Sequence, residues 1–144
     1  MDGAIEYLTK QYYLELSIAV VATIGLMIGL IKTIIKIIHE VGISTGYKVL
    51  VIVITGFFIF ATWTTITYLR DFKYVKNKEF YKITGMVDNI DARNEGGPTV
   101  NFVDIDTGEQ IELQVPGNKV EKGEVYEVIY LPHIRHGCYV KKLK

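Results

Sequence analysis

The sequence has few of the residues and motifs that indicate an oxidised or enzymatic protein. Its one cysteine, Cys138, cannot form a disulfide within the chain, so no oxidising compartment is implied. It lacks the G-x-S-x-G, H-E-x-x-H, Walker and G-x-G-x-x-G motifs of hydrolases, zinc peptidases and nucleotide-binding enzymes. We therefore expect a protein that is not an enzyme and that needs no cofactor.

The chain also lacks a net charge, although its two parts differ. Residues 1–78 carry eight Lys or Arg against five Asp or Glu, whereas residues 79–144 carry eight against eleven. Binding to nucleic acid depends on neutralising phosphates with basic side chains, and the acidic second part does not favour it. We expect no nucleic-acid partner.

Charge is wholly missing from Val49 to Leu69, a run of 21 residues. A helix of that length spans roughly 31 Å, about the thickness of a bilayer hydrocarbon core. A second apolar run begins at Leu16 and continues to Ile38 with lysines on one face, which can snorkel to water. The sequence predicts transmembrane helices at about residues 12–38 and 48–70, with the lipid bilayer as a partner. The first 15 residues have no basic n-region, so we do not expect a cleaved signal peptide.

The predicted helices form an antiparallel hairpin within a membrane anchor at residues 1–78, joined by a turn at 41–46. Small residues at similar depth either form a dimerisation or partner-binding face or only close the hairpin. The helix-packing candidates are Gly25, Gly29 and Gly56. Aromatic and basic residues are expected at the membrane interface and in a basic juxtamembrane linker over residues 70–79. These are Tyr12, Tyr13, Trp63, Tyr68, Arg70, Lys73, Lys76 and Lys78.

The basic residues also predict an orientation. Six of them flank the two outer ends of the hairpin and three lie near its connecting loop. The positive-inside rule therefore favours a multi-pass protein of the cell membrane with both termini, and the C-terminal domain, in the cytoplasm.

From Phe80 onward the hydrophobic period changes to two, which is typical of strands. Five short strands fit residues 79–144, near 81–88, 100–105, 111–115, 125–131 and 138–143, with a register slip at Val103 in the second. Gly108 lies in a predicted hairpin turn at 106–109. The sequence thus predicts a membrane α-helical hairpin plus a small all-β domain, a five-stranded OB-like or SH3-like barrel.

This layout resembles that of bacterial NfeD-like membrane proteins. The matching features are Thr84-Gly-x-Val87 and Lys122-Gly-Glu-x-Tyr-x-Val128, within a strand order that covers residues 80–143. The resemblance implies an OB-fold tail and an association with flotillin-type membrane scaffolds. The proline-glycine signature expected early in that tail is not found here, so the resemblance concerns architecture.

Two clusters could carry chemistry. The first is His133-x-x-His136-x-Cys138, whose imidazoles and thiolate suit zinc or copper. A structural zinc site needs four ligands, and no fourth is evident, so these residues are weak candidates and we expect no metal. The second is Asp106-Thr-Gly, the triplet of aspartic proteases, which lies in a predicted turn without the second copy that an aspartic dyad requires.

The remaining function is interaction. We expect a non-enzymatic, membrane-anchored scaffold or regulatory subunit whose partner is a membrane protein or a second copy of the chain, bound in part through exposed strand edges. The alternatives are an immunity-type protein that acts on a larger membrane partner, and a metal-dependent membrane enzyme that uses His133, His136 and Cys138.

Overall fold

A computed structural model describes residues 1–39, 45–91, 97–116 and 120–143. Two helices, α1 (Asp2–His39) and α2 (Thr45–Asn77), precede five strands. The strands are β1 (Tyr81–Asp91), β2 (Thr99–Asp104), β3 (Gln110–Gln114), β4 (Val125–Tyr130) and β5 (Gly137–Lys142). The predicted combination of a helical hairpin and a small all-β domain is confirmed. Most of the turn predicted at 41–46 lies outside the described residues.

The chain forms two compact units. One unit is Tyr13–Leu69, and the other consists of Met1–Tyr12 together with Arg70–Lys144. Each helix therefore contributes to both units, and the segment after Leu69 that we interpreted as a linker is helical as far as Asn77.

The Tyr13–Leu69 unit is a pair of antiparallel helical segments. Both helices are long and apolar enough to cross a membrane. Their side chains meet in three polar pairs: Tyr68 donates to Glu15 at 2.8 Å, the hydroxyls of Thr23 and Thr65 lie 3.0 Å apart, and Lys36 donates to Tyr47 at 2.5 Å. These pairs join the start of one segment to the end of the other, as an antiparallel hairpin requires.

The strands of the other unit form one antiparallel sheet in the order β3-β2-β1-β4-β5. Its core is built from alternate residues that point to one face, as period-two patterning predicts. The buried cluster comprises Ile83, Val87, Val100, Phe102, Leu113, Val115, Val120, Tyr126 and Val128. A parallel bridge between Gln114 and His136 links the end of β3 to the residue before β5.

The register differs from the prediction at one point. The predicted slip at Val103 is wrong, because Val103 pairs in register with both Met86 and Gln110. The irregularity lies in β1 instead, between Val87 and Asn89. The bulge makes Asp88 the extra residue of β1, so the inward-facing positions of this strand shift from Val87 to Ile90, which packs against the core. Ile105 follows β2 and is 55% exposed.

A second group of buried side chains lies outside the sheet core. It comprises Leu8 and Tyr12 on α1, Val75 on α2, and Ile129 and Leu131 at the end of β4. Since Ile129 points to the face of β4 opposite Val128, both faces of this strand end are covered by protein. Helix α2 ends at Asn77, after which Lys78 adopts a φ of 58° and Glu79 N–H donates to the Tyr74 carbonyl at 2.9 Å.

Gly85 of β1 is required by close packing. A Cβ added at this position would lie 2.9 Å from the Cβ of Phe102, which is fully buried. We predict that Gly85→Ala destabilises the sheet by about 1–3 kcal/mol, because a Cβ so close to the neighbouring backbone cannot be accommodated by side-chain rotation. A thermal ramp of the full chain in detergent, with a fluorogenic maleimide that reports exposure of Cys138, should show an unfolding temperature lowered by several degrees.

Gly3→Ala is the matched control, since an added Cβ there meets no atom within 4 Å. Its unfolding temperature should equal or exceed that of the parent protein. A Gly85→Ala variant that unfolds at the parent temperature would show that the sheet can relax around the added methyl group.

Candidate functional site

The helix-packing candidates do not contact the opposite helix closely. An added Cβ at Gly25, Gly29 or Gly56 would meet no atom within 4 Å. Gly56 lies instead in a shallow apolar groove on α2 with Ile52 and Phe60. The three glycines therefore leave room beside the helix backbones.

The predicted interface residues fall into two groups. Tyr12 is 1% exposed and is covered by protein, whereas Tyr13 and Trp63 are 43% and 71% exposed. The basic residues on the last turns of α2 and directly after it are exposed. They are Arg70, Lys73, Lys76 and Lys78. Tyr68 is partly buried and is tied to Glu15 as described above.

The weak metal-ligand candidates are not brought together. Within the described part of the chain, no three His, Cys, Asp or Glu side chains are placed to hold a metal ion. His133 is engaged by Asp71, and the thiol of Cys138 lies 3.6 Å from the carbonyl oxygen of Tyr139.

The structure instead draws attention to Asp71, near the end of α2. It is the one buried charged side chain among the residues that the structure describes, with 0% of its surface exposed. Its Oδ2 accepts hydrogen bonds from the backbone N–H of Ile134 at 2.8 Å and of His133 at 3.1 Å. Its Oδ1 lies 2.6 Å from the ring Nδ1 of His133. These contacts fix the loop between β4 and β5 against the last turns of α2.

The loop between β4 and β5 has no side chain of its own that accepts hydrogen bonds from its first N–H groups. The acceptor therefore comes from another element. The loop forms a single helical turn in which Arg135 N–H donates to the Leu131 carbonyl at 3.0 Å. The N–H groups at the start of such a turn have no partner within it, and they are usually bonded by a Ser, Thr, Asp or Asn at the preceding position. Leu131 holds that position here and has no side-chain acceptor, and Pro132 has no N–H. Asp71 therefore caps the turn from another element.

The capped turn also links the two sheet edges. The Arg135 carbonyl accepts from Gln114 N–H at 2.9 Å, and the His136 carbonyl accepts from Leu131 N–H at 2.9 Å. Arg135 adopts a φ of 56° to present its carbonyl in this way. Asp71 thus stabilises the segment through which β3 approaches β5.

Aromatic rings lie next to the capped turn. The Tyr74 ring is 6.2 Å from that of His133 and 5.5 Å from that of Tyr81, and Tyr81 is 5.7 Å from Tyr130. A hydrogen bond with Tyr81 raises the pKa of Tyr74, and burial raises the pKa of Tyr130. Both phenols therefore ionise at a higher pH than an unperturbed tyrosine.

The sequence analysis did not identify Asp71. The available signal was its position, because it is the one acidic residue in the otherwise basic stretch from Arg70 to Lys78. A carboxylate directly after an apolar run is costly near a membrane unless it is paired, and this could have indicated a structural role.

Comparison with known proteins adds no assignment: no family, curated protein or solved structure matches the chain.

We predict that Asp71→Ala destabilises the Met1–Tyr12 and Arg70–Lys144 unit by about 2–4 kcal/mol, because it leaves the backbone N–H groups of His133 and Ile134 without the buried carboxylate that accepts their hydrogen bonds. His133→Ala should cost less, since both backbone bonds to Asp71 remain. Thermal unfolding in detergent gives the order of stability of the variants. Hydrogen exchange shows where structure is lost, since the amides of His133 and Ile134 should lose protection in Asp71→Ala. Asp88→Asn, at an exposed carboxylate of β1, is the control.

A His133→Ala variant as unstable as Asp71→Ala would contradict this account. It would show that the side-chain contact, rather than the capped backbone, provides the stability.

Cys138 offers a second test. Burial raises the pKa of its half-buried thiol. Since the thiolate is the reactive form, less of it is present at a given pH than in an unfolded chain. We predict that alkylation of the folded protein at neutral pH is slower than in denaturant, and that its rate rises to half of the maximum at a higher pH. Equal pH profiles in the folded and unfolded chain would contradict this.

Proposed function

We propose that this protein is a non-enzymatic scaffold or regulatory subunit, anchored in the cell membrane by two spanning helices, whose β domain binds a protein partner or a second copy of the chain. The apolar side chains of the Tyr13–Leu69 unit support the anchor. Ile18, Val21, Ile52 and Phe60 are each more than 60% exposed, which is unfavourable in water and favourable in lipid.

The proposed orientation has both termini in the cytoplasm. It is supported by the exposed basic side chains that follow the apolar run, Arg70, Lys73, Lys76 and Lys78. The β domain would then meet cytoplasmic partners or the cytoplasmic parts of a membrane partner.

The observation that carries the proposal is the hydrogen bonding of the two strands at the edges of the sheet. β3 and β5 lie at the two ends of the strand order, and within the part of the chain that the structure describes one isolated bridge, between Gln114 and His136, links the end of β3 to the residue before β5. The strand order and this parallel link support an OB-like barrel that is incompletely closed. An edge of this kind can pair with an added strand, which obtains affinity from main-chain hydrogen bonds.

The outward direction of the β3 edge follows from its bonds. Two groups face β2: the Glu109 carbonyl accepts a hydrogen bond from that side at 2.9 Å, and the Val115 N–H donates one toward it at 3.1 Å. The Gln114 N–H instead donates in the opposite direction, to the carbonyl of Arg135. Because direction alternates along a strand, the N–H of Glu112 points away from β2. Its exposed side chain leaves this part of the edge accessible.

Two narrower alternatives remain proposals. An immunity-type subunit would use the same anchor and the same edge on one larger membrane partner. A metal-dependent enzyme would have to use His133, His136 and Cys138, and the bond from His133 to Asp71 does not favour this, although an imidazole oriented by a carboxylate can ligate metal through its other nitrogen.

The test is a proline at the outward-facing position. Glu112→Pro removes one outward N–H and leaves the bonds between β3 and β2 in place, so the fold should be retained while partner pairing is weakened. A photo-crosslinking residue at position 110, read in intact cells that express the full chain, should give a discrete crosslinked species. Glu112→Pro should reduce that species strongly, and Glu112→Ala, which keeps the N–H, should not.

Two outcomes would overturn the proposal. One is recovery of the chain only as a monomer under gentle detergent extraction, with no crosslink at position 110. The other is stoichiometric zinc in the purified protein that is lost in His133→Ala, which would favour the metal-dependent enzyme.

A further inference from the structure

The end of the sheet where β1 begins and β4 ends carries aromatic and acidic side chains. Alternation places Tyr81 and Tyr130 on the face of the sheet that bears the buried cluster, and the two residues pair directly. Tyr130 packs against that cluster, whereas Tyr81 is 45% exposed. On β2, the alternation that buries Phe102 leads to Asp104, the last residue of the strand. On this side, the inner face of the sheet therefore ends in two phenols and a carboxylate.

A second carboxylate lies beside Asp104. The Asp104 N–H donates to the Glu109 carbonyl at 2.9 Å, which extends the register of β2 and β3 by one residue. Directly paired residues of neighbouring strands point their side chains to the same face, so Glu109 shares the inner face with Asp104. The Ile105 N–H donates to the Thr84 carbonyl at 2.9 Å, and this bond holds the end of the β2–β3 hairpin against β1.

The two carboxylates are close enough to the rings to act on them. Burial raises the pKa of Tyr130, and the negative charges of Asp104 and Glu109 raise it further. The Asp106 N–H donates to Oδ1 of Asp104 at 2.8 Å. Among the residues that the structure describes, neither carboxylate forms an ion pair. Their negative charge is therefore available to a ligand.

Helix α2 adds a third phenol. The Tyr74 ring centroid lies 5.5 Å from that of Tyr81, and the Tyr81 centroid lies 5.7 Å from that of Tyr130. Rings at these distances are in contact. A hydrogen bond with Tyr81 raises the pKa of Tyr74. The carboxylates of Asp71 and Glu79 raise that pKa further, so negative charge also acts on this ring.

We call five side chains the acidic–aromatic surface: Tyr74, Tyr81, Tyr130, Asp104 and Glu109. Basic residues close to it in the chain are directed elsewhere. Lys82 lies on the opposite face of β1 and forms an ion pair there at 2.8 Å. Lys78 lines a cleft with two acidic residues of α1. On α2, Lys73 and Lys76 lie one position before and two positions after Tyr74, so they do not share its side of the helix.

These groups match the chemistry that binds an organic cation. The face of a phenol ring attracts a cation that lies within about 6 Å of its centroid. A carboxylate forms charge-assisted hydrogen bonds with an ammonium or a guanidinium group, and two at once with guanidinium. A phospholipid headgroup that contains a cation also contains a phosphate, which two carboxylates would repel. A basic protein segment carries no such anion, so the charge of the surface favours it as the ligand.

We propose that the acidic–aromatic surface binds a basic segment of a protein partner, with an arginine or lysine side chain placed over the rings and paired with Asp104 or Glu109. The inference rests on the proposed function and adds a chemical class of partner to it. Two parts of the β domain then have different tasks. The outward edge of β3 at Glu112 pairs with main-chain groups, whereas this surface selects side chains by charge.

The probe is a short synthetic peptide with two arginines among glycines and serines, labelled with an uncharged fluorophore. A second peptide has citrulline, an uncharged analogue of similar shape, in place of each arginine. Binding to the full chain in a neutral detergent is measured by fluorescence anisotropy, and unfolding temperatures confirm that each variant folds. The variants are Asp104→Asn with Glu109→Gln, Tyr81→Leu and Tyr81→Phe. The matched control is Asp88→Asn with Glu112→Gln, which neutralises two exposed carboxylates elsewhere on the sheet.

We expect the arginine peptide to bind the parent protein about tenfold more tightly than the citrulline peptide, because the surface selects positive charge. Asp104→Asn with Glu109→Gln should weaken binding of the arginine peptide by about tenfold, and the control by less than about twofold. Tyr81→Leu removes a ring face and should weaken binding by about threefold, whereas Tyr81→Phe keeps the ring face and should not.

Equal binding of the two peptides, or an equal loss in the carboxylate variant and its control, would overturn the inference. Displacement of the arginine peptide by phosphocholine at the peptide's own concentration would also overturn it, because the ligand would then be a lipid headgroup. The crosslink at position 110 separates the two proposals. If the crosslink forms and responds to Glu112→Pro while the two peptides bind equally, only the basic ligand is wrong. If the arginine peptide is selected and no crosslink forms, the pairing at β3 is wrong.

Discussion

A carboxylate without contact with water restricts every group around it, because its charge has to be balanced by donors that are already in place. Asp71 meets this condition with two backbone N–H groups and an imidazole, all from one short loop. The loop in turn carries the carbonyl that reaches β3. The contact between the two sheet edges therefore depends on the turn, and the turn depends on a residue of α2. A neutral cap within the loop would have satisfied the same donors without tying the loop to α2.

The two units differ in where their apolar side chains lie. In Tyr13–Leu69 the apolar side chains face outward, and the polar contacts between the segments are a few hydroxyl, carboxylate and lysine pairs. In the other unit the apolar side chains face inward and the strands alternate. Both patterns follow the same rule, that apolar surface leaves water, with lipid as the proposed destination in the first case and protein in the second.

The sequence predicts well what depends on short-range periodicity. An uncharged run of 21 residues specifies a helix, and alternation after Phe80 specifies strands, so both helices and all five strands were predictable. Contacts between distant residues were not. Asp71 and His133 are 62 positions apart, and neither forms a recognised motif with its neighbours. The burial of Tyr12 depends on packing in three dimensions, and its helical spacing fits a lipid-facing ring equally well. Alternation alone does not reveal which of two paired strands holds an extra residue, so the sequence predicts the slip in β2 although it lies between Val87 and Asn89 of β1.

Lys78 and Arg135 have backbone angles that glycine adopts more readily; Lys78 directly follows α2, and Arg135 directly follows Ile134, which donates to Asp71. An L-residue in this conformation costs roughly 1–2 kcal/mol relative to the ordinary helical region. The backbone conformation at these two residues is therefore held by the surrounding structure and is not the one that the local chain prefers. At Arg135 this cost is offset by the bond that its carbonyl accepts from Gln114, and at Lys78 by the hydrogen bonds that close the last turn of α2, so a link between strands and a helix end each retain a conformation that the isolated segment would not favour.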